Sequence, residues 1–161
     1  MPELFYITPM QTFKLLQQLQ QALRERPDQR LSDFWATVSE TPPEQAVLVS
    51  DDILRQELYS QIARPWEQLK RQKKKKSILG KRPATDWCHY ELLNLQPNLM
   101  RKPLTIGFLL EFLRNAISHD KLRIDSKQGV TFSDWEHNRL RFSFAQLQQL
   151  IDAFREFRSQ G

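Results

Sequence analysis

Residues 112–120 read Phe-Leu-Arg-Asn-Ala-Ile-Ser-His-Asp, and the rest of the chain is organised around this stretch. Apolar side chains recur in and before it at helical spacing, which predicts a buried helix from about Leu104 to Ser118. Three polar side chains, Arg114, Asn115 and His119, then lie in a strongly apolar element. Because burying such groups without a partner is costly, they need a partner, a substrate or a subunit interface. The stretch therefore indicates a functional site.

The size and composition of the chain are those of one ordinary domain, and we expect residues 1–161 to form a single domain. The single cysteine, Cys88, excludes an internal disulfide, and no apolar run is long enough to be a signal peptide or to span a bilayer. We therefore expect a soluble cytoplasmic protein with no membrane partner. The four glycines and the long helical patterns predict a mainly helical fold.

Helical spacing of apolar residues predicts most of the first hundred residues to be helical. One helix is expected from Thr8 or Pro9 to Arg26, and another begins at the proline pair of residues 42–43. The pattern returns from residue 53 to residue 69, where Pro65 should kink the helix because it removes a backbone donor. A short helix with Asp86 as its cap is expected to include Leu92, Leu93 and Leu95.

After His119 the apolar spacing changes from the helical period to two. This alternation predicts a small antiparallel hairpin or meander at about residues 122–144. Ser143 is suited to cap a last helix, in which the helical spacing returns up to Gly161. The predicted fold class is mainly α, with about five helices and this small β structure.

Basic residues are concentrated in the second part of the chain. Residues 1–69 carry six Lys and Arg against ten Asp and Glu, whereas residues 70–161 carry eighteen against nine. Because the basic part also contains Arg114 and His119, a polyanion, and nucleic acid first of all, is the expected partner. The alternative is that these charges only keep the surface solvated.

Residues 70–83, KRQKKKKSILGKRP, predict a flexible basic loop, since like charges repel and Gly80 and Pro83 interrupt helices. The functional interpretation is contact with backbone phosphates, which would not read base sequence. The alternative is a solvated connector. The candidate substrate-binding residues are Lys73, Lys74, Lys75, Lys76, Lys81 and Arg82 of this segment, and Lys121 after the buried helix.

The sequence lacks the residue patterns of metal sites and of other common catalytic sites. Cys88 and His89 are adjacent, but a structural zinc site needs four ligands at recognisable spacing. No glycine-rich phosphate loop, paired-carboxylate pattern or serine-nucleophile motif is found. We therefore expect neither a metal nor a cofactor, and we interpret His89 as a surface or packing histidine. His137 is interpreted as an exposed turn histidine, and the alternative is that it is an additional proton carrier.

Arg114 and His119 together suit phosphodiester chemistry. Imidazole exchanges a proton near neutral pH, and the guanidinium offers a fixed fork of donors to a phosphate that gains charge. RNA carries its own nucleophile, the 2′-hydroxyl, so that a base, an acid and charge stabilisation suffice without a metal. DNA lacks this nucleophile.

One helix supplies only one histidine for an acid and a base. A separation of five residues leaves Arg114 and His119 roughly 140° apart around the helix axis, whereas Asn115 and His119 share a face. Two copies of the stretch that meet across a two-fold axis would supply the acid and the base from different chains. We therefore expect a homodimer.

The segment Arg114-Asn115-Ala116-Ile117-Ser118-His119 resembles the motif of the HEPN superfamily. That motif has an arginine, a polar residue and a histidine after a gap of four to six residues; here the gap is four and the polar residue is asparagine. The phrase FLRNAISHDKLRI, followed by a short hairpin and a terminal helix, is similar to bacterial members. The first hundred residues match only in being helical.

The resemblance implies a HEPN-like helical bundle, usually a homodimer with its two motifs facing each other. Such proteins act as metal-independent endoribonucleases in toxin–antitoxin, phage-defence or CRISPR-linked systems. The resemblance further implies that Arg114 and His119 are catalytic, that Asn115 orients the histidine or the substrate, and that RNA and an antitoxin or defence-complex protein are partners. Many HEPN proteins use the same cleft without cleaving RNA.

Other interpretations stay open. Arg114 can pair with Glu111 and His119 can stabilise the C-terminal end of the helix dipole, which would make the motif purely structural. The chain can also be a non-catalytic module that binds a protein or a nucleotide within a larger defence or regulatory assembly. A third interpretation is simple nucleic-acid binding through residues 70–83.

Overall fold

A computed structural model of the chain describes residues 51–52, 54–125 and 128–160. The helices predicted from Thr8 or Pro9 to Arg26 and from residues 42–43 lie outside the described residues. The described elements, in chain order, are α1 (residues 54–69), α2 (Lys73–Leu79), a 3₁₀ turn (Ala84–Asp86), β1 (Glu91–Asn94), α3 (Pro97–Met100), α4 (Ile106–Ser118), β2 (Leu122–Asp125), β3 (Gly129–Ser133), β4 (Arg139–Phe142) and α5 (Phe144–Ser159). The predicted class, mainly helical with a small antiparallel sheet, is confirmed.

Helix α4 is the predicted buried helix, and both of its ends are defined by local hydrogen bonds. The Thr105 hydroxyl accepts from the backbone N–H of Phe108 at 3.1 Å and caps the first turn. At the other end Asp120 adopts a positive φ of 53°, and the N–H of Lys121 reaches back to the carbonyl of Ala116 at 2.8 Å. This left-handed cap stops the helix directly after His119 and turns the chain into β2.

Helix α1 packs along α4 and contains an irregular turn shortly before Pro65, the residue at which the sequence predicts a kink. Residues Tyr59–Ala63 are π-helical, and the N–H of Arg64 donates to the carbonyl of Tyr59, five residues back. Pro65 follows directly and has no N–H, so that a regular helix would leave a carbonyl of the preceding turn without its donor. The wider turn is the local adjustment to this proline.

The four strands form one antiparallel sheet in the order β1-β4-β3-β2. The meander predicted at residues 122–144 is confirmed as β2, β3 and β4. The short helix predicted after Asp86 is wrong, because Glu91–Asn94 form strand β1 and extend the sheet. Cross-strand pairing decides the outcome: Leu92 lies opposite Leu140, and Glu91 pairs with Arg141 at 2.6 Å.

The flexible loop predicted at residues 70–83 is wrong over Lys73–Leu79, which is helix α2. Lysine has a favourable helix propensity, and tertiary contacts fix the helix in place. Leu79 is buried in the core, and Lys75 Nζ donates to the carbonyl of Gln160 at 2.8 Å after α5. Charge repulsion between the lysines is thus offset by docking against the last helix.

The predicted cap of the last helix is confirmed. The Ser143 hydroxyl accepts from the N–H of Gln146 and the Gln146 side chain accepts from the N–H of Ser143, which is a capping box. One face of the sheet packs with α1, α4 and α5 into a single core. Its largest fully buried side chains include Leu54, Leu58, Ile62, Trp66, Phe132, Phe142, Phe144 and Phe154. Within the described residues, no helix has the length and apolar character needed to cross a membrane.

Candidate functional site

Arg114 and Asn115 are held together on one side of α4. Arg114 Nη1 donates to Asn115 Oδ1 at 2.7 Å, and Arg114 Nε forms an ion pair with the Glu67 carboxylate of α1. Both atoms of this ion pair are covered from solvent, whereas the Arg114 side chain as a whole is 31% exposed. The guanidinium is therefore fixed from two directions and still reaches the surface.

The Arg114 ion pair continues into a chain of polar contacts between α1 and α4. Lys70 Nζ lies 3.1 Å from Glu67 and 3.3 Å from Glu111, and Trp66 Nε1 donates to Glu111. The hydrogen bond from Lys70, together with Arg114, lowers the pKa of the Glu67 carboxyl. The interpretation in which Arg114 pairs with Glu111 is wrong, because helix α1 supplies partners for both residues.

His119 lies in a different environment from the one that the sequence predicts. It is the residue after the last turn of α4 and is exposed, so that it is not embedded in the apolar face of the helix. Its backbone N–H donates to the carbonyl of Asn115 at 3.0 Å. The cost of burying a polar group therefore gives no reason to expect a partner at His119. Because the side chain is exposed, a substrate can reach it.

Trp135 lies beside His119, and sequence reasoning missed it. The two rings meet edge to face with their centroids 6.0 Å apart, and the indole is 70% exposed. Lys121 Nζ lies 3.3 Å from the centre of the indole ring, which is a cation–π contact. Of the seven predicted substrate-binding residues, Lys121 is therefore the one that the fold places next to His119.

The turn that presents Trp135 is well defined by hydrogen bonds. Asp134 Oδ1 accepts from the backbone N–H groups of Glu136 and Asn138, both at 2.9 Å. Asn138 is buried and returns a side-chain hydrogen bond to Asp134, while His137 takes a positive φ of 64°. One feature of the sequence could have identified Trp135: it is a large aromatic residue among the polar residues of a turn, where burial in the core does not explain its presence.

Of the other six predicted substrate-binding residues, Lys81 and Arg82 lie at the opposite end of α4, whereas Lys73, Lys74 and Lys76 are exposed on α2. The N–H of Ile106 donates to the carbonyl of Arg82, and a Cβ atom on Gly107 would lie 3.1 Å from Gly80 Cα. Since α4 has 13 residues, its two ends are about 18 Å apart. Lys81 and Arg82 are therefore not brought to His119, whereas Lys70, at the start of the basic segment, contacts Glu67 and Glu111 of the Arg114 network. Lys75 is also occupied by the end of α5, and Arg82 pairs with Asp86.

An arginine, an asparagine and a histidine at the end of a central helix, followed by a small sheet and a terminal helix, are the features of a HEPN-type domain. Comparison with protein families agrees. The family model described as HEPN pEK499 p136 matches residues 9–160, and the chain belongs to this family. No curated protein and no solved structure matches the chain. The family match includes the whole of α4 and residues on both sides of it.

Proposed function

We propose that this protein is a metal-independent endoribonuclease of the HEPN type that acts in the cytoplasm in toxin–antitoxin, phage-defence or CRISPR-linked systems. One observation carries the proposal: Arg114 is fixed beside Asn115 while His119, directly after the last turn of the same helix, is exposed. The arrangement offers a positioned cation and an accessible proton carrier. Charge stabilisation and a base are two of the three functions that cleavage of RNA by its own 2′-hydroxyl needs, and the third is an acid.

The reaction divides between the two side chains. A neutral imidazole of His119 removes the proton of the 2′-hydroxyl, whose oxygen bonds to the adjacent phosphorus, and the bond from phosphorus to the 5′-oxygen breaks. The leaving oxygen takes a proton from a second imidazole that is protonated at the start of the reaction, so that the two rings exchange protonation states. Arg114 stabilises the extra charge on the phosphorane. The products are a 2′,3′-cyclic phosphate and a free 5′-hydroxyl.

The second imidazole comes from a second copy of the chain in this proposal. Each chain supplies one His119, and His119 lies at an exposed helix end that another copy can approach. A two-fold axis beside this end would place two His119 rings and two Arg114 guanidinium groups in one cleft. Asn115 accepts a hydrogen bond from Arg114 and so keeps the guanidinium directed along the helix surface.

The direct test is cleavage of single-stranded RNA in the presence of a metal chelator. We expect the full chain to release 2′,3′-cyclic phosphate ends and His119→Ala to lose at least about 100-fold in rate. His89→Ala is the matched control, since His89 is an exposed histidine outside both the motif and the turn that presents Trp135. Intact RNA with the unaltered chain, or equal rates for His119→Ala and the unaltered chain, would contradict the proposal.

A mixing experiment tests the shared cleft. If both imidazoles are required, activity should follow the square of the fraction of unaltered chains, so that an equal mixture with His119→Ala retains about one quarter. His89→Ala chains should leave the activity of such mixtures unchanged. A linear decrease with His119→Ala would show that each chain acts alone. Analytical ultracentrifugation measures the expected dimer independently.

A second candidate function is a non-catalytic module that binds a partner protein, an antitoxin or a defence-complex subunit. The contact between Glu67 and Arg114 favours it, because part of the guanidinium is already neutralised within the chain. This function predicts a monomer that leaves RNA intact with or without His119. The cleavage and mixing experiments therefore separate the two candidates.

A further inference from the structure

The face of the sheet that turns away from the core carries two rows of polar side chains. In the first row, Arg123 lies opposite Thr131, and Thr131 lies opposite Arg141. In the second row, Ser133 lies opposite Arg139, and its N–H donates to the carbonyl of Lys121 at 2.9 Å. Strand alternation directs these side chains outward, because their neighbours in β3 and β4 are buried.

The two rows border a groove of about 460 Å³ that begins at Asp120, directly after His119. Its acidic groups are compensated, since Asp120 pairs with Arg55. At the far edge of the sheet, Glu91 forms an ion pair with Arg141. Arg123 and Arg139 are exposed, and within the described residues neither forms an ion pair. The groove is therefore cationic, with the hydroxyls of Thr131 and Ser133 between its charges.

We infer that this groove binds the phosphates of the single-stranded RNA whose cleavage site lies at His119. The inference rests on the proposed function and deepens it: the substrate crosses the outer face of the sheet and not the lysines of α2. Lys121 connects the two regions, since it lies in the second row and contacts Trp135, which contacts His119.

The geometry suits a single strand. Lys121 and Arg139 are two strands apart, which is about 10 Å at ordinary strand spacing, so that the groove can hold more than one phosphate. Cationic side chains and hydroxyls bind phosphate oxygens without reading sequence. The exposed indole of Trp135 at the end of the groove offers a surface on which a base can stack. A duplex would not present its bases to that ring.

The test measures binding without cleavage. A fluorescent 12-nucleotide RNA that carries 2′-O-methyl groups throughout has no nucleophile, and its anisotropy gives the dissociation constant of the full chain at several salt concentrations. We expect Arg123→Gln with Arg139→Gln to weaken binding about tenfold and to reduce the salt slope by about 1.4, the value for two phosphate contacts on a single strand.

The matched control is Lys73→Gln with Lys76→Gln, which removes the same charge from exposed positions of α2. It should change the dissociation constant less than twofold. Equal weakening by both pairs would show non-specific charge attraction, and no weakening by the arginine pair would place the RNA elsewhere; either result overturns the inference. If the chain binds this RNA through the arginines but cleaves no ordinary RNA, the groove stands and the proposed reaction fails.

Discussion

The two halves of the motif differ in how much of their environment the chain itself supplies. Arg114 is bound by Asn115 on α4 and by Glu67 on α1, and its Nε atom is covered from solvent. His119 is exposed, and its ring lies edge to face with the exposed indole of Trp135. The arginine end of the motif is thus preorganised within one chain, whereas the histidine end is open.

Arg114 and His119 meet different requirements of the proposed reaction. A guanidinium that stabilises charge works best when its position is fixed before the reaction, because no reorganisation is then needed. A histidine that exchanges protons with a substrate must be reachable by it. In the proposed dimer, the open end is also the end that a second chain completes. The experiments below change one end at a time.

The largest effect is expected at Arg114. Arg114→Ala should reduce RNA cleavage by about 100- to 1000-fold, because it removes a fixed donor at the charge that develops on phosphorus. Arg114→Lys should recover only a small part, since an ammonium group cannot contact Asn115 and Glu67 in the same fork geometry. Single-turnover rates at saturating RNA measure the effect. Full activity of Arg114→Ala would show that the preorganised end is not used.

Folding of these variants can be followed at Cys88. Burial raises the pKa of its thiol to about 12, so that the native protein should not react with a thiol reagent at pH 8. A variant that reacts slowly, as the unaltered chain does, has kept its fold. Rapid reaction would mean that a loss of activity reports unfolding.

A smaller effect is expected at Trp135, on the open end. Trp135→Ala removes the ring that contacts His119 and Lys121, and we expect about a tenfold loss in the cleavage rate with little change in stability, because the indole is exposed. Trp135→Phe should recover most of the rate. A loss that Phe does not recover would indicate that the indole N–H, and not the ring face, is needed.

A still smaller effect is expected at Glu67 and concerns stability. Glu67→Gln should lower the free energy of unfolding at pH 7 by about 0.2–1 kcal/mol, since its ion pairs with Lys70 and Arg114 are partly exposed. Because the folded-state pKa of Glu67 lies below its ordinary value of 4.5, this contribution is present above that value and is lost as the pH falls through the lowered pKa. Urea titrations at pH 7 and pH 3 measure both values.

The control for Glu67 is Glu136→Gln, an exposed acid in the turn beside Trp135. It should change the free energy of unfolding by less than Glu67→Gln does at pH 7. If Glu67→Gln has the same effect at both pH values, the contact with Arg114 does not depend on the carboxylate charge.

The smallest effect is expected at Asp120, the residue that directly follows His119. Asp120→Gly relieves the positive φ of 53° but removes the ion pair with Arg55, and each contribution is about 0.5–1 kcal/mol or less. We expect the free energy of unfolding to change by less than about 1 kcal/mol. A larger loss would mean that Arg55 supports the end of α4 more strongly than an exposed ion pair does.

Local patterns in the sequence sufficed for several elements. Apolar spacing predicted α4, the alternation after His119 predicted β2 to β4, and Ser143 predicted the start of α5. These predictions succeeded because periodicity and capping involve residues only a few positions apart. The motif itself was visible for the same reason, since it lies within one turn and a half of a single helix.

Where local patterns gave a wrong prediction or none, long-range contacts determined the structure. Glu91–Asn94 form a strand because β4 offers a pairing edge, and Lys73–Leu79 form a helix because α5 provides a docking site. Neither partner is near in sequence. Trp135 was missed because its neighbours His119 and Lys121 come together with it only through the sheet register.

The sequence by itself determined the central helix, the family motif on it and the basic character of the second part of the chain. The tertiary structure decided that Glu67 pairs with Arg114, that His119 is exposed, and that Lys121, Arg123 and Arg139 lie on one surface. The reason is physical: helical periodicity depends on near neighbours, whereas an ion pair or a shared surface depends on how distant elements pack.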